Sequence, residues 1–375
     1  MKKRLFILLL VLTFLFSNLA TFAINNIKDL ATNEDTAPLR IGYVESESFH
    51  IYTSQLANMA LNFQKDGVLS DYDVMSKAST ALEVWTNMCD HCVSNKYKFI
   101  KEMYFNTKDM PENVYKQAIN YENVDLVIVM GTSAGKYFAE NETKNKFMVF
   151  AAADPILSGI IKSETKKNNP NAFAHIDKGK YKRQIQAGHR LLKFKKVGVV
   201  YQNDESAYAY SGIDSLKSAS EELDFDIVVR YVEEAKNEKD YERYYKDLEK
   251  AYHELVIEGI DALYVTTATI QDDRLLGLLE KDIYKNNIPT IAQTDENQVK
   301  VGATIGVTLL DTEEQAAFAV AQIKKYASGT SFENLDQVNE STAKIYVNYD
   351  IAKRIGVKIP FSTLLIVDRI YRLGN

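Results

Sequence analysis

Residue types capable of chemistry concentrate in a few places along this chain. The tetrad Cys89-Asp90-His91-Cys92 holds both cysteines of the sequence. In an oxidising compartment two cysteines with no others most simply form one disulfide, Cys89–Cys92, provided local geometry tolerates so tight a ring. The same spacing admits a redox-active thiol pair, because His91 between the cysteines favours a thiolate. The tetrad does not open a thioredoxin-like βαβ pattern, and a haem attachment site would need His directly after Cys92, where Val93 stands. Zinc could draw on Cys89, His91 and Cys92, but no second cluster completes the set, so no metal is expected.

A second group of polar residues follows short apolar runs. These are Glu45-Ser46-Glu47-Ser48, Gly131-Thr132-Ser133-Ala134, Ala153-Asp154-Pro155, Tyr201-Gln202-Asn203, Thr266-Thr267 and Gln293-Thr294-Asp295. They are mainly neutral hydrogen-bonding groups with a few acids, a set that can hold a small polar ligand without transforming it. Each has a plain structural reading as well. Thr132 or Ser133 would cap a helix, Asp154 before Pro155 would fix a turn, and Tyr201 and Tyr208 are two of 23 tyrosines. Their coincidence at strand ends is what points to a site.

Catalytic motifs are missing. None of His50, His91, His175, His189 and His253 stands in a G-x-S-x-G or H-E-x-x-H setting. Gly131-Thr132-Ser133 lacks the Gly-Lys pair of a phosphate-binding loop. The acids of 237–250 (NEKDYERYYKDLEK) alternate with lysines at helical spacing, which marks a solvated face. Neither an enzyme nor a cofactor is expected.

The elements that would position these residues alternate along the chain. Strand candidates are 40–44, 124–130 (VDLVIVM), 147–152, 196–201 (KVGVVY), 226–232, 261–265, 288–292 and 303–308. The second of these is apolar on both faces, as in a strand buried within a parallel sheet. Helical patterns occupy 181–194, 212–223, 241–258 and 312–328. Strands separated by helices of ten or more residues predict an α/β fold with parallel sheets covered on both faces. In such sheets ligands sit beyond the carboxyl ends of the strands, where the polar groups fall.

Residues 1–23 have the order of an export signal: basic Lys2, Lys3 and Arg4, an apolar run from Leu5 to Phe16, and small residues up to Ala23. That run is short for a membrane span, which needs about 20 apolar residues. No cysteine follows it to carry a lipid anchor, so an exported, released protein is expected. Residues 24–38 lack apolar periodicity and read as a lead-in. Removing Lys2, Lys3 and Arg4 with no acidic residue takes the net charge from −6 to −9. That charge argues against nucleic acid as a partner. About 350 residues remain, more than one core usually holds, so two lobes are expected.

The segments DLVIVMGT (125–132), AAADPILSG (151–159), KVGVVYQN (196–203), DALYVTT (261–267), IPTIA (288–292) and IYVNYDIAKRIGVKI (345–359) occur in this order in one family. Together they resemble the ABC-transporter substrate-binding proteins of the tryptophan/aromatic-amino-acid-binding type, over 39–360. The resemblance implies a two-lobed, type I periplasmic-binding-protein-like fold with three hinge crossings, closing over a small molecule. It places Thr132, Ser133 and Asp154 on the first lobe's side of the cleft and Asn203, Thr267 and Asp295 on the second's. Strand order puts 39–159 and 306–329 in lobe 1, and 160–305 and 339–375 in lobe 2.

The expected function is capture of a small polar solute, an amino acid or similar zwitterion, and its delivery by hinge closure to an ABC permease. Thr132 and Ser133 would take a carboxylate, Asp154 or Asp295 an amine, and Tyr201 or Tyr208 would pack on the side chain. A monomer is the family's norm. Three departures stand out: no cysteine for the lipid anchor usual in Gram-positive members, so that a periplasm between two membranes fits better, the long segment 77–103 that carries the cysteines, and Asp204-Glu205-Ser206 after the strand at 196–201. The alternatives are a ligand-sensing module for a membrane signalling partner, and an exported thiol-redox protein using Cys89 and Cys92.

Overall fold

The structure, a computed structural model, describes residues 37–373 apart from 166–168, 236–237, 267–273, 295 and 309–310. The expected export signal (1–23), nearly all of the lead-in (24–38), Thr267 and Asp295 lie outside the described residues.

The chain builds two sheets. The first holds β1 (Leu39–Glu45), β2 (Tyr97–Asn106), β3 (Leu126–Met130), β4 (Lys146–Phe150) and β5 (Ala172–Ala174), in the order β2-β1-β3-β4-β5 and parallel throughout. The second holds β6 (Lys196–Tyr201), β7 (Asp226–Tyr231), β8 (Ala262–Val265), β9 (Thr290–Ala292), β10 (Ile305–Thr308), β11 (Lys344–Asn348) and β12 (Arg369–Tyr371). Their order is β12-β11-β10-β9-β8-β6-β7, with only the β10–β11 pair antiparallel.

Strand pleating explains why each sheet is covered on both faces. In β3 all five residues are buried. Leu126, Ile128 and Met130 point into one core with helices α1 (His50–Lys65), α2 (Ala81–Asp90) and a late helix at Thr312–Ala327. Val127 and Val129 point into the other, with Phe138 of α3 (Thr132–Glu140). The second sheet repeats this. Val197, Val199 and Tyr201 meet Ile185 of α4 (Lys180–Leu192), whereas Val200, Leu263 and Val265 meet Leu248 and Leu255 of a helix at Tyr241–Ile257.

The chain passes between the sheets three times. Beyond the expected boundary at Gly159, Ile160 and Ile161 still pack in the first core and β5 pairs with β4. The first passage therefore follows Ala174. A strand of three residues, Ala-Phe-Ala, has too little pattern to be read from sequence. The second passage follows β10, so 306–308 stand in the second sheet and the chain returns at the helix Thr312–Ala327. The third lies between Leu335, packed in the first core, and β11.

Two of these passages run side by side. Ile176 N–H donates to Gln337 O at 2.8 Å, and Asn339 N–H to Ile176 O at 3.0 Å. Asp177 ties them further, pairing with Arg183 of α4 and accepting from Ser341 N–H at 3.3 Å. Among the described residues, no helix is long and apolar enough to cross a membrane.

Candidate functional site

A cleft of about 620 Å³ opens beyond the carboxyl ends of the strands, and both sheets contribute to it. From the first come Ser46 and Glu47 after β1, Thr107 and Lys108 after β2, Thr132 and Ser133 after β3, and Ala151 and Ala153 after β4. From the second come Gln202 and Asp204 after β6, Glu234 after β7 and Thr294 after β9. Aromatic rings fill the gaps: Phe49 and Tyr52 at the start of α1, Tyr181 in α4, Tyr210, and Tyr241 and Tyr244 in the helix Tyr241–Ile257.

The turn into α3 is held by tight packing. Gly131 has φ 93°, a region L side chains rarely adopt, and a Cβ there would land on Tyr52 Oη and Ser46 Oγ. Ser46 Oγ donates to Met130 O at 3.1 Å and accepts from Ala134 N–H at 2.9 Å. Thr132 Oγ1 accepts from Ala153 N–H at 3.0 Å. These two hydroxyls hold the strand-end loops in place, while Ser133 is exposed on the cleft at the helix N-terminus. Beneath them Glu45 is buried and accepts from Tyr104 Oη (2.6 Å), Tyr43 Oη (2.9 Å) and Asn106 Nδ2 (3.1 Å). Burial raises its pKa although all three donors oppose that.

Charge is distributed unevenly over the cleft. Lys108 Nζ lies 2.7 Å from Glu47 and 3.6 Å from Glu234. Asp204 caps the short helix Glu205–Tyr210 through Ala207 N–H at 2.8 Å. The carboxylates of Asp204, Glu234 and Glu47 all act on the Tyr210 hydroxyl, whose pKa rises chiefly through burial. That hydroxyl donates to Gln202 Oε1 at 2.6 Å. Elsewhere in the cleft Lys180, buried at the first turn of α4, reaches Ala152 O at 3.4 Å.

Of the expected ligand residues, Ser46, Thr132 and Ser133 line the cleft. Four others are not in its lining. Asp154 accepts from Ile156 N–H (3.0 Å) and Leu157 N–H (2.9 Å), so its carboxylate fixes the turn that begins at Pro155 and is not part of the cleft lining. Tyr201 faces the core, edge-on to Tyr231 at 5.2 Å, because strand parity turns it toward the helices. Tyr208 donates to Asp214 at 2.7 Å with Lys217 over its ring. Asn203 is exposed outside the lining, between Gln202 and Asp204, which do face in.

Sequence reasoning missed Tyr52, Lys108, Lys180, Tyr181, Tyr210 and Glu234. The signal for Lys108 was its place just after β2, a strand too mixed in polarity to be read. That for Lys180 and Tyr181 was the glycine opening the amphipathic helix at 181–194.

The expected disulfide is not formed. Cys89 and Cys92 are both free, and Cys92 Sγ donates to Tyr97 O at 3.4 Å. Burial, with Asp90 adding to it, pushes the Cys89 thiol up to about 12, the opposite of a reactive thiolate. His91 bonds Ser70 Oγ at 3.0 Å and stacks on Tyr72. The segment 77–103 thus supplies α2 and most of β2, burying Val84, Trp85 and Met88 in the first core. Among the described residues no group of three His, Cys, Asp or Glu could hold a metal.

Two α/β lobes hinged by three passages, with a cleft at the strand ends, define a type I periplasmic-binding-protein fold. The profile of the family described as ABC transporter substrate binding protein matches residues 90–369, and the chain belongs to that family. The family is one of substrate binding rather than catalysis.

Solved structures show the same fold. An ABC domain in complex with L-Trp from Streptococcus pneumonia is 16% identical, with 88% of this chain and 99% of that chain covered and a TM-score of 0.64. A conserved domain protein from Vibrio cholerae O1 biovar eltor is 16% identical, covers 90% and 100%, and has a TM-score of 0.65. A ligand-free, open substrate-binding protein with adhesive properties from Clostridium difficile is 18% identical, covers 89% and 99%, and has a TM-score of 0.61. No curated protein matches the sequence.

Proposed function

We propose that this protein is the exported solute receptor of an ABC importer, released into the periplasm by cleavage after Ala23. It captures an amino acid or similar zwitterion, with an aromatic side chain, and delivers it to a membrane permease. The observation that carries this reading is the cleft itself, lined from both lobes by rings and by charges of both signs. A zwitterion with a ring needs these three kinds of contact, and small-molecule sites are mostly apolar with a few placed polar groups. The L-Trp complex of the pneumococcal protein supports the ligand class.

In this reading Ser133 and the free N–H groups opening α3 receive the carboxylate. Glu234 and Asp204 stand on the opposite lobe for the amine, and Tyr52, Tyr181 and Tyr210 for the ring. Ligand contacts to both lobes exist together only when the cleft is closed, so binding shifts the population toward closure. The permease then reads the closed outer face.

A thermal-shift screen of mature protein (24–375) against amino acids, nucleosides, vitamins and sugars tests this. A ligand at a hundred times its Kd adds about 2.7 kcal/mol to folding, an upward shift in melting that is plainly visible. Ser133→Ala and Tyr210→Ala should each reduce it. A panel with no response, or a response that both variants leave intact, rejects the cleft as the binding site.

A further inference from the structure

Among the described residues, Lys180 is the lysine of the cleft lining that pairs with no carboxylate. Its side chain lines the cavity, yet only 8% of the residue is exposed. Lys108, the other lysine of the lining, is held by Glu47 and Glu234. Around Lys180, no acid among the described residues is within ion-pair distance. Its contacts are Ala152 O at 3.4 Å and the face of Tyr181, 4.8 Å from the ring centre. Burying an ammonium costs far more than a long bond to a carbonyl and one ring return, unless an anion completes the site.

The position of this charge says where such an anion would sit. Ala152 O is its acceptor, and the next residue, Ala153, donates its N–H to Thr132 Oγ1. Thr132 opens α3, a nine-residue helix whose first turn faces the cleft. Lys180 therefore converges on the α3 N-terminus from the other lobe. The three acids near Tyr210 gather around a different ring.

We propose that Lys180 is the specificity-determining anchor for a carboxylate on the solute, held between its ammonium and the N-terminus of α3. This rests on the reading of the cleft as the solute site and deepens it. Amino acids and related carboxylates are accepted, while the corresponding amides and amines are refused. Because Lys180 follows the first passage between lobes and α3 belongs to the first lobe, one carboxylate would join both lobes.

The test uses calorimetric titration of the mature chain with L-tryptophan, L-phenylalanine and L-tyrosine. Beside them go L-tryptophanamide, which keeps ring and amine, and indole-3-propionate, which keeps ring and carboxylate. Wild type should bind an amino acid about ten- to a hundredfold tighter than its amide, the range of one charge-assisted hydrogen bond. Lys180→Met should erase that preference, and Lys180→Arg should keep most of it. Melting of each unliganded variant establishes that it is folded, and Lys180→Met should melt no lower than wild type.

An amide bound as tightly as its acid overturns the proposal, as does Lys180→Met retaining the preference. A marked fall in unliganded melting for Lys180→Met also overturns it, by making Lys180 a structural tie to Ala152. Binding of sugars or nucleosides but no carboxylate overturns the role of Lys180 and leaves the cleft as a solute site. Silence from every compound overturns both.

Discussion

Lys108, which follows β2 in the first lobe, stands 3.6 Å from Glu234, which follows β7 in the second. The same ammonium is held at 2.7 Å by Glu47 of its own lobe. A three-membered charge chain thus spans the cleft mouth, and its acceptors lie on both sides of the hinge.

Breaking the chain should alter closure more than folding. These side chains are about half exposed, and exposed pairs are worth about 0.2–1 kcal/mol. Glu234→Gln should move the melting temperature by less than about 3 °C. Small-angle scattering should show a larger radius for the unliganded variant, and raising salt should bring wild type toward it. A drop in melting well beyond that range would make the pair a folding element instead.

Gly131→Ala combines a backbone at φ 93° with a Cβ driven onto Tyr52 Oη and Ser46 Oγ. Strain and overpacking together predict a loss of about 2–4 kcal/mol in urea unfolding, and weakened solute binding because the α3 turn must shift. Gly259→Ala is the control: φ is 74°, but nothing lies within 4 Å of the added carbon. Its cost should be about 1–2 kcal/mol. Equal losses at the two sites would disprove the crowding at Gly131.

His175 lies in the first passage, its Nε2 3.3 Å from Asn339 O of the third and its ring against Phe318. Burial, and next Lys180, lower its pKa to about 4. The folded state therefore binds this proton less readily than the unfolded state, whose histidine titrates near its ordinary value of about 6.5. The contribution to stability is full above that value and is lost as pH falls from about 6.5 to 4, by on the order of 3 kcal/mol. His175→Phe should flatten that part of a stability-against-pH curve. An unchanged slope in the variant would assign it to other groups.

Two free thiols should titrate in the denatured, unreduced protein, since Cys89 and Cys92 are unbonded. In the native protein Cys89, raised to about 12, should react slowly with iodoacetamide at pH 8. A mass two hydrogens lighter, with no reactive thiol on unfolding, would restore the disulfide expected from sequence.

Much of this fold is legible along the chain because a strand covered on both faces must be apolar at consecutive positions. β6 occupies the residues its KVGVVY run marks, and the helix Thr312–Ala327 ends one residue from its pattern. The strands missed lack that property. β2 is an edge strand carrying Lys98, Lys101 and Glu102, β5 and β12 have three residues each, and β11 is buried only over Tyr346, Val347 and Asn348.

The site divides along the same line. Ser46, Thr132 and Ser133 lie just beyond strand ends, where the α/β rule looks for ligands, and that position alone puts them in the cleft lining. What sequence determined by itself is the alternation of elements and which strand ends face a common opening, because both follow from local periodicity. The tertiary structure decided which side chains enter it: pleat parity turned Tyr201 into the core, and a local turn consumed Asp154. Lys108, Lys180 and Glu234 line one cleft only because the two lobes face each other across it, bringing together charges from distant segments that no short-range pattern relates.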